Sequence, residues 1–597
     1  MGVGNWHIVI FVIALQLPGA QAPDSYSGLI VGQVIDAGTK RPLAGVVVAL
    51  GGPPAPNAQP RLPVLTGSDG RFLFREMRRG NYTLSAAKPG YLDGAYGRSR
   101  PGGPATALSM NDGERRDDIV VRVWRHAAIS GTVTDESGER QVGVQIRAYR
   151  RTVAGGRRRF VPAGSAATDD RGIYRIGTLT PGDYIVGTAP KHLSLPLSMV
   201  RDGALQGQQI ATEMSRLGGA LVLGDAGYML GSGSATPPPP THGRLFVYPP
   251  VYHPSAPAGE AASVIPLQPG QDHDSADIQI APVPSARVSG IIVGPDGPVT
   301  ATPIRLVPAT SLEVPADGDG HSAVTDGDGS FIFPAVPSGD YTLKLLPGRA
   351  IGFAGRGGPE PSITWADVPL TVGTEDIESL GVTAHAGLRI SGRFDFQGDP
   401  SRPRGSLQNV QIVIEPADAS AGSVRPYMAR ATASGEFTSP PLPGGRYFVR
   451  IADSPSGWMF KGATYEGRDI ADTPLTLMSG TSNVTIEFTD QWSGLGGRIQ
   501  SDRATGDVAV IVFPTNVETW GSTGQSARRL RIARISGAGE YSFNLPAGDY
   551  YVIAMPDEQA TDWQDLAFLE DASRDAVRIG IAEGERKTQD LQLRRTR

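Results

Sequence analysis

Thr325–Leu346 reads TDGDGSFIFPAVPSGDYTLKLL. Its first six residues hold two acids and two glycines, a composition shared by calcium loops and β-turns. The rest of the chain decides between them. Gly329 is followed by Phe331 two residues on, Gly339 ten on and Tyr341 twelve on. The same spacing recurs at Gly70 with Phe72, Gly80 and Tyr82, at Gly172 with Tyr174, Gly182 and Tyr184, and at Gly435 with Phe437, Gly445 and Tyr447. A fifth copy, Gly539 with Tyr541, Gly548 and Tyr550, is one residue shorter. In these other copies TDGDGS becomes GSDGR, TDDRGI, TASGEF and SGAGEY, so the acids come and go while the glycine and the aromatic stay. An EF-hand loop needs Gly at position six and Glu at twelve. Counted from Asp326, position six is Phe331. The stretch therefore reads as a hairpin turn: Asp and Gly supply the unusual φ, and the aromatic drops into a core.

Each copy has a partner about 40 residues upstream: LIVGQV, AISGTV, RVSGII, RISGRF and GLGGRI, around Gly32, Gly131, Gly290, Gly392 and Gly497. Aliphatic residues stand two before each glycine (Ile30, Ile129, Val288, Ile390, Leu495) and apolar ones two after (Val34, Val133, Ile292, Phe394, Ile499). Period-two alternation means a strand with one buried face, and the glycine marks a bulge or a close neighbouring chain. Each unit ends in a further strand-like run: DDIVVRVW, ADIQIAPV, IESLGVTA, NVTIEFTD and TQDLQLRR. The recurring Tyr is expected to bury its ring and tie its hydroxyl to nearby backbone, as a tyrosine corner does. The unit is thus about 100 residues of short strands and frequent turns, the pattern of an antiparallel β-sandwich.

These residues resemble the carboxypeptidase regulatory-like domain, a transthyretin-like (prealbumin-like) β-sandwich. Ile129–Ser130–Gly131–Thr132–Val133, Thr168–Asp169–Asp170–Arg171–Gly172–Ile173–Tyr174 and Leu179–Thr180–Pro181–Gly182–Asp183–Tyr184 carry the likeness best. Repeats four and five depart in the turn, with Ser434–Gly435 and Ala538–Gly539. The expected fold class is all-β, a tandem array of about five transthyretin-like or Ig-like antiparallel β-sandwiches, as in large secreted bacterial proteins. The resemblance implies a fold and an outside location. It does not imply peptidase activity, because in that family the domain is an accessory to a separate zinc domain.

The chain has 597 residues, a net charge of −5 and no Cys. Disulfides, thiolate zinc sites and Cys nucleophiles are excluded. No basic footprint for nucleic acid exists, and only six Lys accompany the Arg. At the N-terminus, IVIFVIALQL (8–17), Pro18–Gly19 and Ala20–Gln21–Ala22 read as a signal peptide cleaved after Ala22, although its n-region lacks Lys and Arg. No later segment reaches 18 apolar residues, so no further transmembrane span is expected. The expected divisions are a signal peptide at 1–22 and sandwiches at 23–125, 126–286, 287–386, 387–492 and 493–597. The second carries a Pro/Gly-rich insert near 191–245, in which SMVRDGALQGQQIATEMSRLGG (198–219) suits an amphipathic helix or docking arm. The closing ATDWQDLAFLEDASRD is expected to be helical, with Thr561 as N-cap and Leu566 and Leu569 facing the sheet. Links between units are short, which suits a semi-rigid rod with hinges.

No His-x-x-Glu pair, H-E-x-x-H, G-x-S-x-G or P-loop motif is present. No catalytic, metal or cofactor residues are assigned, and no cofactor is expected. The candidate ligand-binding residues are Tyr248 and Tyr252 in FVYPPVYHPSAPAGE and Trp458 and Tyr465 in GWMFKGATYEGRD. Aromatics beside Pro and Gly offer a sugar-stacking face; otherwise they cap the sandwich core. Trp520 and Trp563 in the fifth repeat read as packing residues. The expected protein is non-enzymatic and exported, whether periplasmic, cell-surface or extracellular. It binds or spaces envelope components, with polysaccharide, another envelope component or an outer-membrane protein as partner. An accessory subunit docking an outer-membrane transporter or a secreted hydrolase is the alternative. An enzyme with a dispersed carboxylate pair is the third reading.

Overall fold

The computed structural model describes residues 27–53, 61–196, 220–223, 228–232, 241, 244–309, 320–345, 364–418, 426–500, 507–521, 523–524, 526–536 and 539–594. The repeated spacing becomes repeated geometry. Each glycine strand lies inside a sheet: Gly28–Asp36, Ala127–Thr134, Val283–Gly294, Ile390–Gln397 and Gly494–Gln500. On one side it pairs antiparallel with the aromatic strand after the turn, so that Gly32 meets Phe72 and Gly290 meets Phe331. On the other it pairs in parallel with the closing strand, Gly32 opposite Ile119 and Gly392 opposite Val484. This parallel pair, present in all five units, departs from an antiparallel sandwich. The tyrosine strands form the facing sheets, and the apolar faces of both sheets close five separate cores.

The glycines are required by that parallel neighbour. A Cβ placed on Gly32, Gly131, Gly290, Gly392 or Gly497 would come closer than 3.0 Å to the carbonyl of Ile119, Ala276, Leu380, Val484 or Gln589 respectively. Backbone therefore passes directly over backbone, and no side chain fits between. In the turns, Gly70, Gly172, Gly329 and Gly435 have φ of 71°, 69°, 82° and 86°, the left-handed region glycine enters without penalty. The acids of TDGDGS serve the turn: Asp326 accepts from Gly327 N at 2.7 Å and Asp328 from Ser330 N at 2.8 Å.

The tyrosine corner is realised in every unit. Tyr82, Tyr184, Tyr341, Tyr447 and Tyr550 each donate to the carbonyl four residues earlier, at 3.0, 2.6, 3.0, 2.9 and 2.6 Å. Burial drives the Tyr341 hydroxyl up to about 12.

The chain forms two compact units, Met1–Arg98 with Pro104–Trp124, and Ser99–Gly103 with Arg125–Arg597. The first holds the first sandwich. In the second, the sandwiches do not meet only through their links. The hairpin of Gln145–Ala154 and Arg157–Ala167 reaches the fifth sandwich, where Arg158 pairs with Asp565 at 2.7 Å and Thr523 N donates to Gly155 O. The expectation of a rod of end-to-end contacts is corrected at this point.

Three further expectations meet the structure. The proposed helix at 198–219 lies outside the described residues. Part of the same insert forms strands: Lys191–Pro196, Tyr228–Ser232 and Ala220–Leu223 join the sheet of the third sandwich. The C-terminal helix is Leu566–Asp575, and its N-cap is Asp565, whose carboxylate accepts from Ala567 and Phe568 N. Thr561 instead ends a preceding 3-10 turn, Asp557–Ala560. With the helix starting at Leu566, that residue sits exposed on the first turn, while Leu569 and Ala572 face the sheet.

Two substitutions on one sheet separate the close approach from general strand propensity. Gly290→Ala should cost about 1–3 kcal/mol of local stability. Gly381→Ala, whose Cβ would meet nothing within 4 Å, should change it by less than about 0.5 kcal/mol. Hydrogen-exchange protection of Val283–Gly294 reads both, and equal effects would sink the assignment. Tyr341→Phe should lose about 1 kcal/mol in the same readout.

Candidate functional site

The fourth and fifth sandwiches enclose a cavity of about 210 Å³. Its floor is the outer face of two paired strands, Met459–Tyr465 and Thr481–Thr489. The pairing slips between Phe460 and Gly462, leaving Lys461 as the extra residue. A bulge re-aims a side chain, and Lys461 lines the cleft beside Thr464, Glu487 and Thr489. The link residues Gln491 and Ser493 and the fifth sandwich's Arg529, Pro546, Ala547 and Glu583 form the walls. Lys461 Nζ spans the cleft, 2.8 Å from Glu583 and 2.7 Å from Gln397 Oε1. Glu487 accepts from Thr464 Oγ1 at 3.1 Å and makes no ion pair among the described residues. Three hydroxyls, an amide, two cations and three carboxylates, of which Asp469 and Glu583 are ion-paired, thus converge on one cavity, with Met459 and Pro546 as its apolar surface.

Beneath the cleft the sandwiches are locked by charge. Arg528 donates to Asp472 Oδ1 at 2.8 Å and also binds Asp469 and the Lys461 carbonyl. Arg529 binds Asp472 as well and donates to Ala547 O at 2.9 Å and the Tyr550 hydroxyl at 3.0 Å. Burial acts to raise the Asp472 carboxyl, but the two guanidiniums outweigh it and hold the group below its ordinary value. A carboxylate so held suits ion pairing and is a poor general acid. Nearby, Arg450 bonds Glu415 at 3.1 Å, Ala471 O at 2.8 Å and, across the interface, Thr523 O at 2.8 Å. Burial lowers the Arg450 guanidinium from its ordinary value, with Glu415 opposing.

The sequence-derived candidates lie elsewhere. Trp458 is buried in the fourth core, its Nε1 donating to Pro403 O at 3.1 Å and its ring edge-on to Phe396. With no accessible ring face it cannot stack on a sugar, and that expectation is corrected. Tyr465 is half-buried against the same core. Tyr248 packs half-buried on the second core, and the Tyr252 ring lies 6.2 Å from that of Tyr149. None of the four lines the cleft. The cleft residues are ordinary polar types on an outer strand face, and only the alternation of Glu487 and Thr489 hints at that face in sequence.

Residues 30–111 match the family model of the carboxypeptidase regulatory-like domain. No curated protein matches the chain significantly. Among solved structures, the chain is similar to a streptococcal ancillary pilin, at 11% identity over 61% of this chain and 99% of that one, with a TM-score of 0.19. It is similar to a minor pilin of Streptococcus agalactiae at 14% identity, over 43% of this chain and 98% of that one, with a TM-score of 0.20. Two B repeats of the collagen-binding protein of Staphylococcus aureus align at 11% identity over 77% of this chain and 99% of that one, with a TM-score of 0.12. The fold assignment rests on the chain's own ten sheets and on the family match in the first sandwich.

The buried ion pair of the fourth sandwich, whose guanidinium also reaches Thr523 O across the interface, can be tested directly. Arg450→Met leaves Glu415, 4% exposed, without its guanidinium and should destabilise by about 3–5 kcal/mol. Arg450→Met with Glu415→Gln should recover much of that loss. Calorimetry of the full chain reads both, and equal losses in the two variants would contradict the pairing. Because Asp472 titrates below its ordinary 3.8, its ion pairs should persist above that pH and weaken as pH falls through the lowered value.

Proposed function

We propose that this chain, whose first sandwich matches the carboxypeptidase regulatory-like domain, is an exported, non-catalytic binding and spacing protein of the bacterial envelope. One observation carries the reading: the repeated motif residues are consumed by the fold. The glycines admit a neighbouring backbone, the turn acids bind turn amides, and the tyrosines close corners. Nothing in the motif is left over for chemistry. The sequence divisions at 23–125, 126–286, 287–386, 387–492 and 493–597 serve as the units of this reading.

The place for a ligand is the cleft between the fourth and fifth sandwiches. Clefts between domains are common ligand sites. Its hydroxyls, the Gln491 amide and the Glu487 carboxylate match the hydrogen-bonding needs of a hydroxyl-rich molecule such as a glycan unit. Tyr248, Tyr252 and Tyr465, half-buried, are the remaining aromatic candidates. The accessory-subunit reading is the alternative, and an ordered insert favours it; Lys191–Pro196 of the insert is ordered as a strand on the third sandwich.

A retention assay tests this. The chain from residue 23 is mixed with insoluble polysaccharides, peptidoglycan and outer-membrane extract, beside Glu487→Gln. Retention on a glycan, weakened about tenfold by loss of the charged acceptor, supports glycan binding in the cleft. Retention of a membrane protein favours the accessory reading. Glycan retention that Glu487→Gln leaves unchanged moves the site off the cleft, and no retention leaves a spacer.

A further inference from the structure

The second sandwich lends strands to the third. In the first, second, fourth and fifth sandwiches the tyrosine-strand sheet ends at Val64–Leu65, Arg157–Ala167, Tyr427–Arg430 and Arg531–Ser536. The equivalent edge of the third sandwich, Gly320–Val324, carries Lys191–Pro196 in parallel register, from Lys191 opposite Gly320 to Ser194 opposite Ala323. Tyr228–Ser232 and Ala220–Leu223 then continue the sheet.

At this junction His192 stands opposite His321, their Nδ1 atoms 3.2 Å apart and their ring centroids 4.7 Å apart. The two residues are 8% and 7% exposed. One Nδ1 must donate and the other accept, so the contact requires at least one neutral ring. The strands packed against the pair offer no carboxylate. Lys191 adjoins His192 on the opposite face of its strand, Arg305 lies opposite Ser322 rather than His321, Ser330–Pro337 has no titratable side chain, and Tyr228 is the titratable residue of Tyr228–Ser232. Among the described residues no carboxylate stands beside the pair, so a proton taken up here would be buried with no counter-charge from them.

We propose that this histidine pair is an acid-opened latch, and that its opening draws Lys191–Pro196 off Gly320–Val324. The direction follows from proton binding. Released, His192 titrates near 6.5; docked, burial holds it down to about 4. Burial and the neighbouring His192 hold His321 well below 6.5. Docking is therefore firm above pH 6.5 and weakens as pH falls from there towards 4. His192 alone raises the released-to-docked ratio about 20-fold between neutral pH and pH 5.

Hydrogen exchange of the full chain, corrected for the intrinsic pH dependence of exchange, tests the latch. Protection of residues 191–196 and 320–324 should fall together by at least that factor between pH 7.5 and 5, while Gly339–Leu345 keeps its protection. The doubly substituted His192→Phe, His321→Phe chain should hold both strands at both pH values. No loss in the wild type, or the same loss in the double variant, would overturn the proposal. Should the double variant fail to dock at pH 7.5, imidazole NMR of the wild type decides: both rings must stay neutral well below pH 6.5, and ordinary titration overturns the latch.

Discussion

The structure depends on one contact, the passage of a carbonyl over a Cα that carries no side chain. It occurs in each sandwich, where the glycine strand meets the closing strand in parallel. A sandwich of short strands gains little from any one of them, and a small core leaves little surplus stability. The parallel pair ties the last strand of a unit to its first. Each unit is thereby closed on itself before the next begins, which lets the cores remain separate. The tyrosine corner does the corresponding work in the facing sheet. It fills the core with a large ring and satisfies its one polar group four residues back.

What was legible in the sequence follows from this. Glycine, aromatic, glycine and tyrosine at fixed spacing have no freedom to drift, because each meets a specific backbone neighbour. Gly329 must enter left-handed φ, Gly290 must lie under Leu380 O, and Tyr341 must reach Pro337 O. Such constraints leave a periodic trace. The parallel sense of the closing pair left none, since alternation is the same for both strand directions. The helix cap was misplaced for a related reason: Thr561 and Asp565 both suit an N-cap, and packing of Leu569 under the sheet selects the later start. The candidate site was least legible. Lys461 reaches the cleft through a bulge, and Glu487 through a partner sandwich that sequence spacing does not locate. Trp458 drew attention by its size, and size is what drives it into the core.

The second compact unit joins its sandwiches in two physically different ways. Between the fourth and fifth, guanidiniums of one face a carboxylate of the other, Arg528 and Arg529 with Asp472, while Arg450, paired with Glu415 inside the fourth, reaches Thr523 O of the fifth. Desolvation makes such pairs costly to assemble and costlier to break by halves. Each guanidinium also reaches backbone carbonyls, so the pairing fixes orientation as well as distance. That suits a junction whose cleft must keep its shape.

Between the second and third sandwiches the joint is backbone pairing, with a neutral histidine pair at its centre. Backbone pairing alone is indifferent to pH across the range where proteins work. Imidazoles are the groups that bring such a joint under pH control, and burial without a carboxylate sets the sign. An ion-paired interface gains its strength from charge and loses it as acid neutralises the carboxylates. The histidine joint depends on the absence of charge and fails when acid supplies it. Of the two, the histidine joint responds first on acidification, because imidazole takes up protons well above the carboxylate range. On acidification the chain would therefore keep the cleft between its last two sandwiches while its insert strand is released.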